Sequence, residues 1–132
     1  MATEGHPVHV LLGVSASAAC YKACVLASRL TQAGFAVDVV LTPRAAELIA
    51  PRLFAALTGR PALADEFAPE SPEAMAHIAL ADRAELVIVA PATAATIAKL
   101  AHAHAEDLLS TTALALREAT PRWIAPAMNP RM

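Results

Sequence analysis

Two groups of hydroxyl-bearing residues stand where an apolar run gives way to an alanine-rich segment. Ser15 and Ser17 follow one such run, and Thr93 and Thr96 follow another. Continuous apolar runs rich in β-branched residues are typical of strands that are buried on both faces of a parallel sheet. In open α/β sheets, ligands lie at the carboxyl ends of the strands, against helix N-termini. The pattern therefore predicts ligand-binding turns, although Ser15 and Ser17 are equally suited to capping a helix.

Other common ligand and metal motifs are missing from the chain. It lacks both the Gly-x-Gly-x-x-Gly dinucleotide fingerprint and the Gly-x-x-x-x-Gly-Lys triphosphate loop. Its histidines show no metal-binding spacing, so no metal site is expected. Cys20 and Cys24 are four positions apart rather than in a Cys-x-x-Cys motif, and we interpret them as small buried residues.

Composition limits the classes of protein to consider. With 132 residues, 57% hydrophobic and 17% charged, the chain is long enough for one domain with a real core. A net charge of −2 gives no nucleic-acid footprint. No apolar run approaches the roughly 18 residues of a membrane span, so we expect no membrane association and a cytoplasmic protein. The high apolar content also favours burial between subunits.

The order of the elements predicts an α/β fold with a parallel sheet and right-handed crossovers. Pro91 is expected to end the third strand because it has no N–H to donate. Residues 60 to 72, with three prolines, are expected to form a surface loop, and residues 74 to 84 are ambiguous. The predicted strands are 8–14, 37–41, 86–90 and 123–125, and the predicted helices are 18–33, 45–49, 53–57, 94–103 and 108–116.

His77 lies in the ambiguous segment, among alanines and other apolar residues. From spacing alone, a packed histidine is a better interpretation than a catalytic one. A chemical role for His77 depends on the wider sequence context.

That context comes from five motifs, which together resemble the flavin-dependent cysteine decarboxylases over essentially the whole chain. This family includes a coenzyme A branch, which acts on phosphopantothenoylcysteine, and a branch that decarboxylates a C-terminal peptide cysteine. The resemblance implies a Rossmann-like three-layer flavoprotein fold that binds FMN. The motifs are Gly-Val-Ser-Ala-Ser-Ala-Ala-Cys-Tyr-Lys (13–22), His-Ile-Ala-Leu (77–80), Ala-Pro-Ala-Thr-Ala-Ala-Thr-Ile-Ala-Lys-Leu (90–100), Asp-Leu-Leu-Ser-Thr-Thr (107–112) and Pro-Ala-Met-Asn-Pro-Arg-Met (126–132).

The resemblance also implies roles for individual residues. His77 would be the active-site base, and Asn129 would hold the cysteine carboxylate of the substrate. An imidazole suits a base at neutral pH, and a neutral amide can orient a carboxylate. The implied contacts to FMN are Ser15, Ala16 and Ser17 at the phosphate, Thr42 and Arg44 at the end of the second strand, and Thr93, Ala94, Thr96 and Met128 near the flavin.

Some positions depart from the family pattern. Many relatives have Asn where this chain has Ala95, and Asn or Asp where it has Glu106. Relatives also continue for several dozen residues beyond the position of Met132, through a flap that covers the substrate. We therefore expect residues 1–132 to form a single FMN-binding domain that is shortened at its C-terminus relative to the family.

These features predict FMN-dependent oxidative decarboxylation of the cysteine moiety of 4'-phosphopantothenoylcysteine. The segment Leu57-Thr58-Gly59-Arg60-Pro61 and the final motif resemble the coenzyme A branch. A peptidyl-cysteine decarboxylase of a natural-product pathway and a non-catalytic flavin-binding subunit are the alternatives. The family builds trimers, often four together, so the resemblance implies a homotrimer or a homododecamer.

Overall fold

The computed structural model describes residues 5–67 and 74–132. Within them, five parallel strands form one sheet in the order β3-β2-β1-β4-β5. This architecture confirms the α/β fold with a parallel sheet. The strands are β1 (His9–Val14), β2 (Ala36–Leu41), β3 (Ala62–Leu63), β4 (Leu86–Ala92) and β5 (Arg122–Pro126).

Helices cover both faces of the sheet and give the three layers. One buried cluster joins β1, β2 and β4 to α1, α2 and α3, and a second joins the opposite face to α4 and α6, with α5 packed against it. None of the helices in the described ranges is both long and apolar enough to cross a membrane. The helices are α1 (Cys20–Gln32), α2 (Pro43–Leu48), α3 (Pro51–Thr58), α4 (Ala76–Arg83), α5 (Ala94–Ala101) and α6 (Leu108–Ala115).

The sequence-based prediction that Pro91 ends the third strand is wrong. β4 continues through Pro91 to Ala92, which pairs with Pro126 of β5 after an irregularity in the register. Pro91 cannot donate to the ladder, but its carbonyl oxygen accepts hydrogen bonds from both the amide and the hydroxyl of Ser15. The carbonyl oxygen of Pro91 is thus hydrogen-bonded although its nitrogen is not a donor, and β4 continues past the proline.

The segment before β4 also differs from the expectation. The predicted loop at residues 60–72 contains the two-residue strand β3, and its part from 68 to 72 lies outside the described residues. The ambiguous segment 74–84 is largely the helix α4. Two residues are too few to produce a recognisable apolar run, so the strand was not predicted.

A buried ion cluster holds the amino edge of the sheet to α4. The carboxylate of Asp38, on β2, is 6% exposed and accepts hydrogen bonds from Arg60 Nε at 2.9 Å and Arg83 Nε at 2.8 Å. Arg60 lies just before β3, and Arg83 is the last residue of α4. In addition, the Glu85 amide donates to the carbonyl of His9 at the start of β1. The C-terminal end of α4 is therefore at the amino edge of the sheet.

Gly13 lies inside β1, before the turn to α1, and it permits close packing of α6. A Cβ atom at this position would lie 2.6 Å from Cδ1 of Leu109, which is 2% exposed. The absent side chain therefore makes room for Leu109 against the sheet.

We expect Gly13→Ala to lower the free energy of unfolding by about 1–3 kcal/mol, because the added methyl group overpacks the contact with Leu109. Chemical denaturation of the single variant measures this cost. In a Leu109→Ala background the same substitution should cost much less, since the two positions are in contact. An equal cost in both backgrounds would contradict this explanation.

Asp107 forms the N-cap of α6 in a reciprocal capping box with Ser110. Burial raises the pKa of its carboxyl group, but hydrogen bonds from the amide and hydroxyl of Ser110 and the nearby Lys99 ammonium outweigh this and hold the pKa below 3.8. The distance from Lys99 Nζ to Asp107 Oδ2 is 3.3 Å. The ionised carboxylate is therefore the favoured form in the folded protein.

This depressed pKa predicts a pH-dependent contribution to stability. The contribution is fully present above the ordinary value of 3.8 and is lost as the pH falls through the folded pKa. Asp107→Asn keeps a good N-cap but removes the charge, so its free energy of unfolding should fall less steeply between neutral and acidic pH. Asp107→Ala should lose the same pH dependence and, in addition, about 0.5–2 kcal/mol at all pH values. Unchanged steepness in both variants would argue against Asp107 as the source.

Candidate functional site

The structure brings most of the predicted site residues to one edge of the sheet. Because the strands are parallel, the loops after β1, β2, β4 and β5 all leave from their carboxyl ends. Hydrogen bonds join these loops to neighbouring strands: Thr42 N donates to Val14 O at 2.9 Å, and Ala127 N donates to Ala92 O at 3.0 Å. The candidate site is thus assembled from separate segments by the sheet itself.

Ser15 connects the loop after β1 to the loop after β4. Its hydroxyl donates to Pro91 O at 2.6 Å and accepts from the amide of Thr93 at 2.9 Å. The residue is only 1% exposed. This hydroxyl is therefore engaged inside the protein, where it joins two of the site loops.

Ser17 lies at the more accessible part of the same turn. Its hydroxyl accepts from the amide of Ala19 at 3.1 Å, and α1 begins at Cys20 with Ala19 as an N-cap that offers no side-chain hydrogen bond. The alternative in which a serine caps α1 is thus not what the structure shows. The 13-residue helix carries its positive dipole end to the edge of the sheet beside Ser17 and the small Ala16.

Two threonines cap the helices that follow β2 and β4. Thr42 Oγ1 accepts from Ala45 N at 3.2 Å at the start of α2, and Thr93 Oγ1 accepts from Thr96 N at 3.3 Å at the start of α5. Thr93 Oγ1 also donates to Thr96 Oγ1 at 3.3 Å. Arg44, in the first turn of α2, is exposed and supplies a positive charge at this edge.

Small side chains line the start of α5. Ala94 is half-buried and Ala95 is exposed, next to the Thr93 cap. Glu106, the other position that departs from the family pattern, lies 3.8 Å from the Lys99 ammonium, and its side chain is exposed. The surface at the start of α5 is therefore formed by small groups and hydroxyls.

His77 approaches the site from a helix rather than from a strand end. It is the second residue of α4, and Arg83 marks the end of that helix at the amino edge of the sheet. At 1.5 Å per residue, His77 lies about 9 Å along the helix from Arg83, towards the carboxyl edge. Its imidazole is 19% exposed, and its Nδ1 pairs with Glu66 Oε1. It is therefore a partly accessible imidazole with a carboxylate partner.

Met128 and Asn129 follow β5, and both are exposed. The Asn129 side-chain oxygen accepts from the amide of Arg131 at 3.0 Å. This bond occupies the acceptor of the side chain and leaves its NH₂ group as the donor, which is the group that a carboxylate needs.

Glu66 is the residue that sequence reasoning missed. It lies within the predicted surface loop at residues 60–72, because the two-residue β3 before it produces no recognisable pattern. The available signal was an acidic residue between a strand end and the helix that carries His77.

A model of the flavoprotein family matches residues 2–132. The chain is 48% identical over 124 residues to the coenzyme A biosynthesis bifunctional protein CoaBC of Bacillus subtilis strain 168. It is 41% identical over 123 residues to a probable phosphopantothenoylcysteine decarboxylase of Streptococcus mutans. These alignments cover 94% and 93% of this chain, but 30% and 69% of the two relatives.

The fold is also similar to that of a solved structure. The FMN-dependent cysteine decarboxylase SpaF is similar with a TM-score of 0.85 and 33% identity, over 94% of this chain and 70% of that one. The chain thus spans less than a third of the length of the bifunctional relative and about two thirds of the others. Because the family model extends over residues 2–132 and the relatives agree with it, the chain belongs to the flavoprotein family.

Proposed function

We propose that this protein binds FMN at the carboxyl edge of its sheet and catalyses the oxidative decarboxylation of the cysteine moiety of 4'-phosphopantothenoylcysteine. The observation that carries the proposal is the convergence of three hydroxyl-bearing turns on one edge of the sheet. A Glu66-paired imidazole, that of His77, lies in the first turn of α4. The family membership supports FMN as the cofactor.

The residues present suit FMN. A phosphate needs N–H and O–H donors and positive charge, and the start of α1, the Ser17 hydroxyl and Arg44 offer these. The flat ring system needs room and apolar contacts, which Ala94, Ala95 and Met128 supply. Because the Ser15 hydroxyl is engaged with β4, we assign it the positioning of these loops instead of a direct contact with phosphate.

The chemistry divides between the cofactor and the chain. When bound, FMN supplies an acceptor for the hydride from the cysteine carbon that bears sulfur, which makes that carbon an electron sink for the departing carboxylate. His77 receives the proton of the substrate thiol, and the Asn129 NH₂ group donates to the substrate carboxylate. Since that amide is neutral, it orients the carboxylate without stabilising its charge strongly before CO₂ leaves.

The curated relatives favour the coenzyme A substrate class. The chain is 48% identical to a coenzyme A biosynthesis bifunctional protein and 41% identical to a probable phosphopantothenoylcysteine decarboxylase. Both substrate classes present a cysteine carboxylate, so the site chemistry is compatible with either. We therefore favour the coenzyme A substrate and treat the peptide substrate as an outcome of the test.

We also propose that the chain assembles as a homotrimer or a homododecamer. Several large apolar side chains are exposed to solvent. They include Tyr21 and Val25, which are four positions apart on α1, and Trp123 on β5. Burial of these groups between copies supports the assembly, because contiguous exposed apolar patches mark interaction sites.

Ser17→Ala should weaken FMN binding roughly 10- to 150-fold, because a hydrogen bond to a charged group contributes about 1.5–3 kcal/mol. Titration of the apoprotein with FMN, followed by flavin fluorescence, measures the dissociation constant. Ser28→Ala on the same helix is the matched control, since the Ser28 hydroxyl pairs with Gln32 and should leave binding unchanged. A protein that stays colourless after FMN is added would refute the flavin site.

His77→Asn should retain FMN but lose decarboxylation by about 100-fold or more, as expected when a general base is removed. Mass spectrometry of 4'-phosphopantothenoylcysteine, and of a peptide that ends in cysteine, follows the loss of CO₂. His104→Asn is the control, because His104 is an exposed histidine beyond α5.

The outcomes separate the alternatives. Loss of CO₂ from the peptide alone would assign the chain to the peptidyl-cysteine branch. A yellow wild-type protein without any decarboxylation would show a flavin-binding subunit that is not a catalyst.

A further inference from the structure

Glu66 pairs with one of the two nitrogens of the His77 imidazole. Glu66 Oε1 contacts Nδ1 of His77, and the two side chains are 22% and 19% exposed. An ionised carboxylate only accepts hydrogen bonds. The pair is therefore formed when the proton of the neutral imidazole lies on Nδ1.

Both partners are anchored by neighbouring structure. Asp65 Oδ1 accepts from the amide of Phe67 at 2.9 Å, which closes a tight turn around Glu66 immediately after β3. On the His77 side of the contact, Ala76 is 0% exposed and packs in the core at the first turn of α4. This packing fixes the backbone position of the neighbouring His77. The contact thus joins the turn after β3 to the first turn of α4.

We propose that Glu66 is a positioning residue that holds His77 in the Nδ1–H tautomer and so makes Nε2 the atom that accepts a proton. This inference rests on the proposed function, in which His77 is the base. A carboxylate partner on one imidazole nitrogen sets the tautomer and the ring orientation of the other. Nothing in the sequence motifs assigns a role to Glu66.

The proton transfer from the substrate thiol to His77 balances in bonds and in charge. The S–H bond of the substrate cysteine breaks, an N–H bond forms at Nε2 of His77, and the electron pair stays on sulfur. The resulting imidazolium carries one positive charge beside the Glu66 carboxylate, which compensates it. Glu66 itself keeps its charge and receives no proton, as in other carboxylate–histidine pairs.

The first test is spectroscopic and needs no substrate. In the FMN-loaded wild-type protein, ¹⁵N chemical shifts and two-bond ¹H–¹⁵N correlations of His77 should show a protonated Nδ1 and an unprotonated Nε2. In Glu66→Ala, the proton should move towards Nε2. A wild-type His77 protonated on Nε2 alone would overturn the proposal, whatever the variants do.

The second test is kinetic. Glu66→Gln should lower kcat for decarboxylation about 10- to 100-fold, the usual effect of losing a partner behind a histidine, with little change in KM or in FMN affinity. Glu66→Asp should recover part of kcat. Glu85→Gln is a matched control, because Glu85 forms an exposed pair with His6 at 3.1 Å. It should leave kcat unchanged.

The two tests distinguish failure of this inference from failure of the proposed function. Unchanged kcat in Glu66→Gln, or equal loss of kcat, FMN affinity and thermal stability, would overturn the positioning role. A wild-type protein that binds FMN but decarboxylates no substrate would instead refute the proposed function. The spectra would then decide by themselves whether Glu66 sets the tautomer of His77.

Discussion

The hydroxyl of Ser15 is the interaction on which the candidate site most depends. It is buried between the ends of β1 and β4, where it donates to Pro91 and accepts from Thr93. Buried polar groups must be paired, and leaving one unsatisfied costs about 1–3 kcal/mol. Ser15 satisfies a carbonyl and an amide that Pro91 and the helix start would otherwise leave open. The same bonds hold the turn after β1 against the segment that leads from β4 into α5.

A second constraint acts at the opposite edge of the sheet. Asp38 binds the guanidinium groups of Arg60 and Arg83, and these residues lie at the start of β3 and the end of α4. The cluster therefore links the start of β3 to the end of α4. Glu66 lies in the turn after β3, and His77 lies in the first turn of α4. Ion pairs thus orient the structure at the amino edge, while hydroxyls and small side chains occupy the carboxyl edge.

The sequence predicted the elements that have long patterns. The apolar runs of β1, β2 and β4 were recognised, as were the helices α1, α5 and α6. Prediction was limited where the local signal was short or mixed. β3 has only two residues, and alanine-rich α4 carries a histidine in its first turn. The prediction for Pro91 was wrong because its carbonyl oxygen accepts hydrogen bonds from Ser15, in the turn after β1.

The sequence by itself determined the strand–turn–helix units, the residue types at each turn and the family to which the chain belongs. Only the tertiary structure decided which of these side chains are held inside the protein by hydrogen bonds. Ser15 and Ser17 are alike in sequence, but Ser15 is turned inward by partners 76 and 78 positions away. Glu66 reaches His77 across 11 positions because the fold brings the turn after β3 against the first turn of α4. Hydrogen-bond partners in a parallel sheet come from distant segments, so local patterns cannot specify them.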